Sequence, residues 1–216
     1  MKLTPYAAAV AALAVAALSL PAAASAQSVL SESFNNVAAL AAAEWAQVND
    51  SPNPSGSWFQ GNTGVFNAAS GPANSYVANN FTAGTPSIST WLMTPALTFG
   101  SGSAVSFSAR SAGDSLLDTI QVYASLNGSS TVVSDFSILL GSYSSSVDAG
   151  WIAQSYNVSL VGSGRIGFRY VVANTETAGN YIGIDNVNVV PEPASALLAL
   201  LGLAVVGRAA TRCRSV

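Results

Sequence analysis

The sequence predicts an all-β domain, a sandwich of two antiparallel sheets. Several segments alternate apolar and polar residues with a period of two. Turns rich in Gly, Ser and Asn separate them. Only one stretch between the two chain ends favours helix.

The elements follow in order. "VLSESF" opens the domain as a strand, and "NNVAALAAAEW" (residues 35–45) is the helix-favouring stretch, read as a short surface turn. "SYVANNF" and "STWLMTP" are further strands. In "AVSFSA", Val105 and Phe107 share a face. In "TIQVYASL", Ile120, Val122, Ala124 and Leu126 lie opposite Gln121, Tyr123 and Ser125. In "RIGFRYVV", Ile166, Phe168, Tyr170 and Val172 lie opposite Arg165 and Arg169. "YIGIDNVNVV" closes the domain, for eight to eleven short strands in all. The turn "VGSG" reads as a hairpin between "WIAQSYNVSL" and "RIGFRYVV". "NDSPNPSGSW" and "NTETAGN" read as long exposed loops.

Two apolar runs bracket this domain. Lys2, the run "AAAVAALAVAALSL" and the small residues Ala24 and Ala26 form a signal peptide over residues 1–26, which implies export through the Sec machinery. The domain covers residues 27–190. Residues 191–216 hold Pro191, Glu192 and Pro193, a second apolar run, and then Arg208, Arg212 and Arg214. That run, residues 194–207, spans roughly 21 Å as a helix against a hydrocarbon core near 30 Å. It reads as a short transmembrane helix that holds the inner membrane transiently, with its arginines on the cytoplasmic side.

Charge is scarce, at 8% of residues. Residues 27–190 carry three arginines and nine acids, a net of 3 − 9 = −6. No basic face exists to neutralise phosphates, so nucleic acid is not expected as a partner. There is no histidine, and the one cysteine is Cys213 in the tail. Zinc or copper sites built on His or Cys are excluded, as are Ser-His-Asp and Cys-His catalysis within the chain.

The tail resembles the PEP-CTERM sorting signal of bacterial exported proteins. That resemblance implies processing by an exosortase, an integral-membrane protease. The motifs "SESFNN", "STWLMTPALTF", "DTIQVYAS", "GRIGFRY" and "NYIGIDNVNVV" occur in an order similar to the choice-of-anchor J domain, related to cleaved-adhesin and MAM-like folds. This implies a jelly-roll β-sandwich with an adhesive or scaffolding role at the cell surface or in an extracellular polysaccharide matrix, and no catalysis.

Four groups of residues are candidates for chemistry. "GSGRIG" is a literal G-x-G-x-x-G, but it leads into an alternating strand where a dinucleotide site needs a helix. Asp114 and Asp118 would suit a hydrolase only if close, and four residues along a strand is about 13 Å. No catalytic residue and no required cofactor are therefore expected. Glu32 and Asp185, in the first and last strands, are the candidate ligands of a structural calcium, which takes carboxylate and carbonyl oxygens. Otherwise they are solvated or cap backbone amides. Among the aromatics, Trp91 and Trp151 are expected in the core. Trp58 and Phe59 follow the proline-rich loop and are expected to be exposed, as the candidate contact for a carbohydrate.

Overall fold

The computed structural model describes residues 30–190 apart from residue 101. The signal peptide with Ala24 and Ala26, the triplet Pro191, Glu192 and Pro193, the apolar tail helix and Arg208, Arg212 and Arg214 lie outside the described residues.

The strands are β1 (Leu30–Glu32), β2 (Ala46–Asn49), β3 (Asn53–Pro54), β4 (Phe59–Gln60), β5 (Val77–Asn80), β6 (Gly84–Thr85) and β7 (Ile88–Met93). They continue as β8 (Leu97–Phe99), β9 (Ser103–Ser111), β10 (Asp118–Ser125), β11 (Ile138–Ser145), β12 (Ile152–Val158), β13 (Gly162–Val172) and β14 (Tyr181–Val190). One sheet runs β12-β9-β14-β5-β4, with β1 also paired to β14. The other runs β11-β10-β13-β7-β2, with β8 also paired to β13. Their pairings are antiparallel throughout, and β3 and β6 form a small separate ribbon.

The period of two decides what enters the core. Val105, Phe107 and Ala109 of β9 and Ile182, Ile184, Val187 and Val189 of β14 meet Ile120, Val122 and Ala124 of β10 and Ile166, Phe168, Tyr170 and Val172 of β13. Phe107 and Phe168 stand edge to face across the sandwich, with ring centroids 5.2 Å apart. The helix-favouring stretch is a 3-10 helix, Val37–Ala43, which buries Val37 and Leu40 and exposes its alanines.

Three sequence expectations are corrected. "VGSG" is not a hairpin: β12 pairs β9 in one sheet, and β13 pairs β10 and β7 in the other. The turn therefore carries the chain from sheet to sheet. Successive strands are only the commonest partners, and turn chemistry alone does not name the partner. Leu126 falls just past β10 and is exposed, so the buried face ends at Ala124. Trp91 is buried as expected, but Trp151 is only partly buried, against a peripheral cluster. Trp91 joins Met93 and Phe136 in one satellite cluster, and Trp151 joins the cluster of Phe66, Tyr76 and Tyr181 in another. The alternation of β7 sends Leu92 inward and Trp91 outward, where the Phe136 segment covers it.

Candidate functional site

The candidate acids sit on neighbouring strands. β1 pairs β14 with Glu32 opposite Val187, two residues along from Asp185. Their side chains serve different backbones. Glu32 Oε1 accepts from the Phe34 amide at 2.7 Å. Asp185 is fully buried, and its Oδ2 accepts from the amides of Ala69 and Ser70 at 2.9 and 3.3 Å while Oδ1 accepts from Asn186 at 2.7 Å. Burial pushes the Asp185 carboxyl up, against the pull of the three amides. Among the described residues, no group of three or more His, Cys, Asp or Glu side chains gathers around either acid.

A β-bulge explains where Asp185 points. From Asp185 to Asn188, β14 advances three residues while β9 advances two, and Asn186 takes a left-handed φ of 53°. Ile182 and Ile184 face the core before the bulge, and Val187 and Val189 face it after. Asp185 is thus on the outer face, beneath the segment that carries Ala69 and Ser70. The signal was in "YIGIDNVNVV": its apolar spacing shifts by one between Ile184 and Val187, and Asn tolerates the left-handed region.

Trp58 is not exposed, which overturns the expected exposed pair. It is 2% exposed, and Phe59 is half-buried against Tyr181, with ring centroids 5.9 Å apart. The chain after the proline-rich loop turns inward as β4 and joins β5, and this draws Trp58 into the core. Both residues nevertheless border a cleft of about 680 Å³, formed between the 3-10 helix, the start of β2 and residues 57–60. Its walls include Val37, Ala38, Ala41, Trp45, Trp58 and Phe59, and its polar lining is Asn36, Gln47, Ser57 and Gln60. Gln60 pins one wall: Oε1 accepts from the Val37 amide at 2.9 Å, and Nε2 donates to Phe34 O at 2.8 Å and Asn74 O at 2.6 Å. Asn36, the N-cap residue, makes no side-chain cap bond. The Trp58 indole N–H is buried without an acceptor.

Asp114 and Asp118 do not face a cleft together. Asp114 lies before β10 and caps the Leu116 amide, whereas Asp118 is fully buried. Asp118 Oδ1 accepts from the Tyr170 hydroxyl at 2.7 Å and the Asn180 amide at 2.9 Å, and Oδ2 has no partner. Desolvation therefore raises the Asp118 carboxyl, despite these bonds. The sign follows by linkage. A raised folded-state value means that the proton favours the folded state. That stabilisation is complete below the ordinary carboxyl range and is lost as pH rises through the folded value. Asp118→Asn keeps the acceptor and removes the titration. Its stability relative to wild type is expected to improve as pH rises from 4 to 8, measured by urea melts. Parallel profiles would show that Asp118 does not titrate differently in the folded state.

The three arginines of the domain are engaged. Arg110 pairs with Asp148 at 2.8 Å and lies over the Phe66 ring. Arg165 donates to the carbonyls of Ser129, Glu44 and Thr94. Arg169 bonds Ser89 and Gln121 on the outer face of its sheet, beside Trp91.

Val190 ends β14, and Pro191 follows at once. Residues 189–215 match the PEP-CTERM protein-sorting motif. The motif marks an exported protein with a C-terminal sorting signal. Among curated proteins, none matches the sequence. Solved structures resemble the domain upstream of the PEP-CTERM motif. The K1 cleaved adhesin domain of Lys-gingipain from Porphyromonas gingivalis is 22% identical with a TM-score of 0.57, covering 76% of this chain and 98% of that one. The K3 domain of the same protein is 18% identical with a TM-score of 0.54, covering 76% and 99%. The K2 domain of Lys-gingipain is 17% identical with a TM-score of 0.56, covering 74% and 98%. The domain therefore shares the jelly-roll fold of these cleaved adhesin domains, and the PEP-CTERM motif begins within its last strand.

Proposed function

We propose that this chain is exported, held briefly in the inner membrane by its apolar tail, and cut near Pro191-Glu192-Pro193 by an exosortase. The jelly roll then acts outside as a non-catalytic component of the cell surface or the extracellular polysaccharide matrix. The observation that carries this reading is the sorting motif at residues 189–215. Two features of the domain support it. The ladder of β14 is complete at Val190, paired with Ala104, so a cut after Val190 leaves every strand pairing in place. Asp118, one of the two acids a hydrolase would use, is committed to Tyr170 and Asn180 inside the domain. Contact with polysaccharide is part of the same proposal, favoured by the cleft beside Trp58 and Phe59.

Mass spectrometry of the mature protein tests the sorting step. The expected C-terminus lies within a few residues of Pro191, and a chain intact through Val216 would mean a retained anchor.

We also propose a structural calcium at Glu32 and Asp185. Both already hold backbone amides, so the ion would need carbonyl oxygens from the surrounding backbone as well. Binding to the folded state alone would stabilise it by about 2.7 kcal/mol at a hundredfold excess over Kd. The domain is expected to melt higher in calcium than in EDTA, and equal midpoints would remove the stabilising ion.

A further inference from the structure

We propose that the cleft between the 3-10 helix Val37–Ala43 and residues 57–60 is a binding site for a neutral saccharide chain. This deepens the polysaccharide contact proposed above and rests on it. At about 680 Å³ the cleft is of ligand-site size. Its chemistry selects the class. No Asp, Glu or Arg lines it, so an ionised group that entered would leave water with no opposite charge to meet it. Uronates, phosphates and metal ions are therefore poor occupants. The helix side is aliphatic, through Val37, Ala38, Leu40 and Ala41, and Phe59 is half-buried opposite. Such walls suit the C–H faces of sugar rings.

The polar groups suit hydroxyls. Asn36, Gln47 and Ser57 are exposed in the lining, and each carries donor and acceptor capacity. Asn36 makes no side-chain cap bond, which leaves its amide group for this. Gln60 also ties residues 34, 37 and 74 together, which fixes one wall before a ligand arrives. Trp58, at 2% exposure, offers almost no surface to a ligand. Its indole N–H is buried without an acceptor.

The space itself comes from alanines. Ala38 and Ala41 are exposed residues that line the cleft, and a longer side chain at either would fill it without touching the core. Ala42 is exposed on the same helix and is not part of the lining. This gives a matched pair of variants.

The test uses the mature exported protein, titrated with neutral cello-, xylo- and galacto-oligosaccharides and with alginate oligosaccharides as the charged comparison. Binding is read by calorimetry and by tryptophan fluorescence, since Trp45 and Trp58 border the cleft. At least one neutral series is expected to bind and alginate is not. Ala41→Leu is expected to weaken binding at least tenfold, with Ala42→Leu unchanged and both melting like wild type. Absence of binding by all neutral series at millimolar concentration overturns the proposal, as does equal or preferred binding of alginate. Undiminished binding by Ala41→Leu places the site elsewhere and also overturns it. None of these results bears on the mature C-terminus, so the sorting step stands or falls separately.

Discussion

Phe168→Ala is expected to destabilise the domain by about 3–5 kcal/mol. Phe168 has no exposed surface and lies in the middle of β13, between Val122 of β10 and Leu92 of β7. Across the sandwich it meets the edge of Phe107, at an interplanar angle of 80°. Truncation removes the apolar transfer energy, opens a cavity between two sheets, and deletes an aromatic pair worth about 0.5–1.5 kcal/mol beyond its area. Neither sheet can collapse into the gap, because each is held by ladders on both sides of it. For a domain of this length the melting point should fall by roughly 6–20 °C. Total stability of such domains is about 5–15 kcal/mol, so the variant would be close to the limit for folding. Phe107→Ala and the double variant complete a cycle, in which contacting residues should couple by more than about 0.5 kcal/mol. A loss below 1 kcal/mol for Phe168→Ala, or strict additivity in the cycle, would contradict the packing described.

The residues behind that prediction were legible in the sequence. Ile166, Phe168, Tyr170 and Val172 share a face by spacing alone, as do Ile120, Val122 and Ala124, because a pleated strand puts alternate side chains on opposite sides. What spacing does not carry is the identity of the partner strand. β12 and β13 are adjacent in sequence yet belong to different sheets, and their separation depends on pairing energies summed over the whole sandwich. The same limit applies to Trp58. An aromatic residue beside a loop looks exposed, but its burial is decided by which distant segment folds over it. Trp91, expected in the core, is likewise buried with the help of Phe136, 45 residues away in sequence. The cleft was only half legible. Phe59 and Trp58 drew attention, whereas the alanines that make the space had read simply as helix formers.

Asp185→Ala is the second large effect, expected to cost about 1–3 kcal/mol by leaving three part-buried amides without their acceptor. One carboxylate holds the Ala69, Ser70 and Asn186 amides. The first two belong to residues 61–75, which lie against the outer face of the sheet through Phe66, Tyr76, Tyr181 and Trp151. Loss of the anchor should therefore loosen this segment more than the central core. Hydrogen exchange is expected to rise first at residues 66–75, with the β10–β13 ladder still protected. Trp151 supplies a second readout, since its Nε1 donates to Asn67 O at 2.8 Å and its fluorescence should shift as that bond is lost. Asp185→Asn separates charge from geometry. It retains one acceptor oxygen, but turns an NH₂ toward amides that need an acceptor, so it should recover only part of the loss. Full recovery by Asn, or uniform exchange across both sheets in the alanine variant, would show that the carboxylate does not act as a local anchor.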